Sequence, residues 1–134
     1  MVDTDVFSLW YRRRGRWQEF RTLTDGHPLA MSFACVAEAL APSYMRKGIA
    51  PGTTQRIRNA LNRFVIIPYD ADVVERWAEM SGLLEGRLKG RGINDMWTAA
   101  CARSHGLPIV TNNLSDFQTI QSEFADLVLV HPEL

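Results

Sequence analysis

The sequence predicts an α/β fold, a three-layer α/β/α sandwich around a mainly parallel sheet. Short apolar runs such as Val65-Ile66-Ile67, Leu107 to Thr111 and Leu127 to Val130 alternate with longer stretches of helical rhythm. A turn or capping residue marks each change of element. Met1 to Thr4 is read as a first strand running into a helix that carries Val6, Phe7, Leu9, Trp10 and Tyr11, with Asp5 as its cap. A second helix covers Trp17 to Leu23 and stops at Asp25-Gly26. Pro28 to Ser32 is a short strand, and Phe33 to Met45 has a helix face formed by Val36, Ala37, Leu40, Ala41 and Tyr44. Pro51-Gly52-Thr53 turns the chain into a basic helix over Thr54 to Phe64. The next strand, Val65 to Pro68, is expected to be buried. Asp72 is the expected cap of a helix through Val73, Trp77, Met80 and Leu84, and Asn94-Asp95 opens another that His105-Gly106 ends. Leu107 to Thr111, a short helix over Leu114 to Ile120, and Leu127 to Val130 complete the alternation.

A chain of 134 residues is large enough to bury one core without disulfides, so residues 1–134 are expected to form a single domain. With 46% hydrophobic and 22% charged residues the composition is globular, which excludes the disordered and fibrous classes. Fifteen basic residues balance fifteen acidic ones, so any attraction for nucleic acid must arise from local patches. Charge is unevenly spread. No acid occurs between Ala39 and Tyr69, a window that holds Arg46, Lys47, Arg56, Arg58 and Arg63, and Arg12, Arg13, Arg14 and Arg16 form another basic run. Cys35 and Cys101 lie far apart in apolar stretches without metal-ligand spacing and read as buried free thiols. No apolar run approaches the ~20 residues that span a bilayer, and a reducing cytoplasm is the expected setting.

In folds of this class ligands bind beyond the carboxyl ends of the strands. Acids fall there: Asp3 ends the first strand, Asp95 begins a helix after a glycine-rich loop, and Asp116 follows the strand ending at Thr111. Glu38 stands on an otherwise apolar helix face. Carboxylates gathered in one cleft repel one another unless protons or a cation neutralise them. Oxygen ligands without cysteine or histidine select a hard ion, Mg²⁺ or Mn²⁺, whose natural anionic companion is phosphate.

Four segments carry a resemblance that covers nearly the whole chain: Val2-Asp3-Thr4-Asp5-Val6, Val36-Ala37-Glu38-Ala39-Leu40, Asn94-Asp95-Met96-Trp97-Thr98-Ala99-Ala100, and Gly106 to Asn113 with Asp116-Phe117. In this order they resemble the signature blocks of PIN domains, most of all the VapC toxins of bacterial toxin–antitoxin pairs. The resemblance implies a Mg²⁺- or Mn²⁺-dependent endoribonuclease whose acids are Asp3, Glu38, Asp95 and Asp116, with the Thr111 hydroxyl bonded into the acidic cluster. It implies hydrolysis by water made more acidic beside the cation, leaving a 5′-phosphate and a 3′-hydroxyl. It further implies a small VapB-like antitoxin that blocks the site, and a homodimer. Only Met1 and Val2 precede Asp3, where that family has several apolar residues; Asp5 stands where Asn or Ser is commoner, and Asn113 where some relatives have an acid.

Plainer readings stand beside these. Asp3 could be a turn residue, Asp95 and Asp116 acids that favour a helix start, and Glu38 the partner of an arginine. Thr111 could simply end a strand, with Asn112 and Asn113 serving the turn. The tryptophans and Tyr11 read as core or interface residues, and the histidines as structural. Arg87, Lys89 and Arg91, in the loop leading to Asp95, are the basic residues expected to hold RNA phosphates, while Arg12 to Arg16 could meet an acidic partner protein. Asp3-Thr4-Asp5 also looks like the opening of a haloacid-dehalogenase-type phosphatase, but Phe7 stands where Thr or Val is preferred and a lysine-bearing block is missing. The remaining alternative is an inactive PIN-fold binding module.

Overall fold

The computed structural model describes every residue except 86, 89, 90 and 91. Its helices are α1 (Thr4–Arg12), α2 (Trp17–Thr24), α3 (Phe33–Leu40), α4 (Thr53–Leu61), α5 (Ala71–Leu83), α6 (Gly92–His105) and α7 (Leu114–Gln121). The strands are β1 (Ala30–Ser32), β2 (Val65–Ile67), β3 (Ile109–Val110) and β4 (Leu129–Val130). β1 pairs in parallel with β2, and β3 with β4. The N-terminal segment joins the two pairs: the Val2 amide donates to the Ala30 carbonyl at 2.8 Å, the Val110 amide donates to that of Met1 at 2.7 Å, and Val2 bridges Val110 in parallel. The sheet therefore runs β2, β1, Met1–Asp3, β3, β4.

Alternation along these short strands divides the core into two layers. Val2, Met31 and Val110 pack with Phe7, Trp17, Phe20, Ile57 and Leu61 on the side of α1 to α4. Met1, Ile67, Ile109 and Leu129 pack with Val73, Met80, Ala99, Phe117 and Ile120 on the side of α5 to α7. Helices therefore cover both faces, as the three-layer expectation requires. Phe20 and Phe117 are fully buried, each worth about 2–3 kcal/mol of apolar burial. Both cysteines are free and buried, and burial pushes the Cys101 thiol up to about 12. No described helix is long and apolar enough to cross a membrane.

Several local expectations change. The first strand reduces to the bridge at Val2, and the cap of α1 is Asp3, whose carboxylate accepts the Val6 amide at 2.8 Å; Asp5 lies inside the first turn. Asp70 caps α5 by accepting from Val73 at 2.9 Å, leaving Asp72 to pair with Arg76. α3 stops at Leu40 and tightens into a 3₁₀ turn over Ala41–Tyr44, because Pro42 has no N–H to offer the carbonyl four residues back. β2 is not buried throughout: Val65 is 62% and Ile66 40% exposed, since β2 is the edge strand and only Ile67 turns into the core.

Candidate active site

Four helices, α1, α3, α6 and α7, deliver a cap or terminal-turn residue to one cleft. Asp3 leaves the N-terminal segment in extended geometry and caps α1, which places its carboxylate where the chain turns away from the sheet. One oxygen accepts the Val6 amide and the other the Thr111 hydroxyl. Thr111, at the end of β3, is fully buried, and its oxygen also accepts the Asn113 amide at 2.8 Å. These bonds fix the Asp3 carboxylate although it is only 5% exposed. Burial raises its pKa to about 7 against the lowering effect of the Thr111 and Val6 hydrogen bonds, with a further upward push from Asp5.

Glu38 comes from α3, whose start is tied to the rest of the site by buried hydroxyls. Ser32 caps α3 through the Cys35 amide at 3.2 Å and meets the Thr98 hydroxyl of α6 at 2.9 Å. The Cys35 sulfur lies 3.2 Å from the same Thr98 oxygen, so α3 and α6 are cross-linked beside the acids. Glu38 itself accepts from the Thr4 hydroxyl and the Asn94 amide. Among the described residues its partners are neutral donors, not the arginine that a purely structural role predicts.

Asp95 lies in the first turn of α6, and Asp116 in the first turn of α7. A single amide holds them together: Asn113 Nδ2 donates to Asp95 at 3.1 Å and to Asp116 at 2.9 Å. Asp95 has a pKa raised to about 7, chiefly by burial and then by the charges of Asp3, Asp116, Glu38 and Asp5. A cleft of about 310 Å³ opens among Asp3, Asp5, Glu38, Asp95 and Asp116, with Thr4, Asn112 and Asn113 completing its wall.

The structure thus brings together Asp3, Glu38, Asp95 and Asp116, with Thr111 directly behind Asp3. Arg87 does not reach them; it pairs with Glu123 and donates to Ser122 at 3.0 Å beyond the end of α7. Lys89 and Arg91 lie outside the described residues. Sequence reasoning missed Thr4, Asn94 and Asn113, the neutral donors that hold the acids. Their signal was position alone: Asn94 adjoins Asp95, and Asn113 precedes Asp116 by three residues.

The donor set is all oxygen and crowded with like charge, and the side chains that hydrogen-bond Asp3, Glu38, Asp95 and Asp116 among the described residues are neutral, which suits a hard divalent ion. Among the described residues no group of three acids, histidines or cysteines is gathered closely enough to hold an ion by itself. That spread fits an ion taken directly by one or two carboxylates and through water by the others, as Mg²⁺ prefers.

The PIN domain profile matches residues 1–121. Ribonuclease VapC2 of Haemophilus influenzae is 29% identical over 124 residues, 90% of each chain. Among solved structures, VapBC-1 from nontypeable Haemophilus influenzae superposes with a TM-score of 0.77 at 20% identity, over 100% of this chain and 98% of that one. DNA-bound VapBC from Salmonella typhimurium gives 0.76 at 21% identity, over 98% and 96%.

Proposed function

Since the chain belongs to the PIN domain family, we propose that it is a single-domain, metal-dependent endoribonuclease that acts as the toxin of a VapBC-type toxin–antitoxin pair. The observation that carries the nuclease reading is the cleft of five carboxylates, two of them with pKa values raised to about 7. Such an arrangement is costly in an apoprotein and becomes favourable once a cation enters. The toxin role and a small antitoxin partner follow from the relatives named Ribonuclease VapC and from structural neighbours that are VapBC complexes.

In this reading Asp3 and Asp95 hold Mg²⁺ or Mn²⁺, with Glu38 and Asp116 completing the acidic wall. The ion, when bound, neutralises the acids, lowers the pKa of a coordinated water and offsets charge developing on the phosphodiester. The chain's own task is alignment. Thr111 and the Val6 amide fix the Asp3 oxygens, Thr4 and Asn94 fix Glu38, and Asn113 sets the spacing between Asp95 and Asp116. Because these donors are uncharged, they orient the acids without cancelling the field that draws a cation.

The test is Mn²⁺-dependent cleavage of labelled RNA by Asp3→Asn, Asp95→Asn and Asp116→Asn, with circular dichroism as the folding check. The first two should lose at least about a hundredfold in rate, and Asp116→Asn less, because Asp116 stands on the α7 rim and is tied to the cluster through the Asn113 amide. Full cleavage by both Asp3→Asn and Asp95→Asn would remove the site assignment.

A further inference from the structure

The chain is electrically neutral overall, yet its cations divide into two populations. Arg16, Arg21, Arg76, Arg87 and Arg103 each form an ion pair with an acid. Arg12, Arg13 and Arg14, at the end of α1, have no acidic partner among the described residues, and neither do Arg46, Lys47, Arg56, Arg58 and Arg63, in and around α4. All of these are exposed. They fall in or beside the window from Ala39 to Tyr69 that contains no acid.

The fold brings Arg12 and Arg13 of the first group and Arg63 of the second to adjoining clefts. A cleft of about 270 Å³ between α1 and α4 is lined by Arg12, Thr53 and Ile57 and shares Glu38 with the acid cleft. A neighbouring groove of about 310 Å³ is lined by Arg13, Asn59 and Arg63 and shares Tyr11 with the first. The Arg63 guanidinium, just beyond α4, lies 6.0 Å from the ring centroid of Trp10 on α1. Together they make a trough running from the acids along α1, from Asp5 to Arg13, a path of about 12 Å at 1.5 Å per residue. Cations stand on both walls and aromatic rings lie between them.

We infer that this trough holds the phosphates of single-stranded RNA and leads the chain into the acid cleft. The inference rests on the nuclease reading for what lies at the end of the track. A polyanion approaching carboxylates needs compensating charge nearby, and neither the net charge nor the paired arginines provide it. Cations without an acidic partner keep their attraction for phosphate, and the half-buried Tyr11 and Trp10 rings line the clefts beside them. An acidic peptide would match the cations, but its own charge would count against it at the Glu38 end.

The test is fluorescence anisotropy of a labelled single-stranded RNA of about 12 nucleotides, a length within ordinary site sizes, in EDTA over rising KCl. Wild type is compared with the combined Arg12→Gln, Arg13→Gln, Arg63→Gln variant and with a control, Arg21→Gln, Arg76→Gln. Losing three phosphate contacts should weaken binding by about tenfold or more at low salt and reduce the log–log salt slope by about 2, at ~0.7 per contact for single strands. The control should match wild type. Unchanged affinity and slope in the triple variant, an equal loss in the control, or tighter binding of a glutamate-rich peptide than of RNA would each overturn the trough assignment. So would a wild type that does not bind RNA. Hydrolysis of bis(p-nitrophenyl) phosphate with Mn²⁺ separates the two readings, since that small diester needs only the acid cleft. The triple variant should hydrolyse it at the wild-type rate. If wild type binds RNA in the predicted manner but hydrolyses neither substrate, the nuclease reading fails and the trough stands.

Discussion

Replacing Asp3 by asparagine should stabilise the metal-free protein above neutral pH. The Asp3 carboxyl is 5% exposed, and burial raises its pKa from 3.8 to about 7. The folded state therefore holds its proton more tightly than the unfolded chain does. Stability from this group is fully present at a pH below its unfolded value and declines as pH rises through the folded value. At 1.36 kcal/mol per pH unit, the interval from 3.8 to about 7 amounts to about 4 kcal/mol lost by pH 8. Asparagine keeps the oxygen that caps α1 at the Val6 amide but cannot ionise. It must turn its amide toward Thr111, whose hydroxyl loses an acceptor at a cost of about 1 kcal/mol. The net gain at pH 8 in EDTA is then about 2–3 kcal/mol. With ~2.1 cal/mol/K of unfolding entropy per residue over 134 residues, this raises Tm by about 7–11 °C. The assay is differential scanning calorimetry from pH 5 to 8 with EDTA, repeated with Mn²⁺. Wild type should lose stability across that range and the variant much less, while Mn²⁺ should restore wild type and leave Asp3→Asn nearly unmoved. A wild type as stable at pH 8 as at pH 5 without metal, or a variant no more stable than it at pH 8, would refute the reasoning.

Thr111→Val should leave the fold intact but remove the bond that holds Asp3 and the acceptor for the Asn113 amide. Without the hydroxyl the Asp3 pKa moves higher, so the acidic limb of the cleavage pH–rate profile should shift to higher pH, and kcat should fall more than KM rises. Asp70→Ala should cost about 1 kcal/mol in urea denaturation by uncapping α5, whereas Asp72→Ala should cost less, since it removes exposed contacts to Arg76 and Ser104.

Much of the fold was legible because the strands are short apolar runs and the helices have clear faces. What the sequence concealed was lateral position. Val65-Ile66-Ile67 has the same apolar character at the edge of a sheet as at its centre, and only the pairing with β1 alone reveals that two of the three residues face out. The misplaced caps have a similar cause. Asp3 and Asp5, or Asp70 and Asp72, are chemically equivalent candidates two residues apart; the one that caps is the one left in extended backbone geometry as the chain leaves the sheet, which is a tertiary matter. At the site, Asp3, Glu38, Asp95 and Asp116 stood out because carboxylates were otherwise hard to justify there. The amides did not, because an asparagine near a turn has an ordinary local explanation.

Those amides explain why the acids remain perturbed. Each carboxylate in the cleft requires donors, and arginine or lysine could have supplied them. A cation at the position of Asn113, between Asp95 and Asp116, would satisfy the same oxygens while also neutralising their charge, leaving little gain for an external ion. Asn113 supplies hydrogen bonds at 3.1 and 2.9 Å but no charge, and Thr4, Asn94 and Thr111 do the same for Glu38 and Asp3. The lone pairs are oriented while the repulsion persists, so the Asp95 carboxyl stays near 7 under the influence of burial and four neighbouring acids. The unbalanced field is therefore a property of the neutral residues as much as of the acids. Among the described residues, the cations without an acidic partner stand along α1 and α4, away from the lining of the acid cleft, where they leave undiminished the field that a metal ion is drawn to.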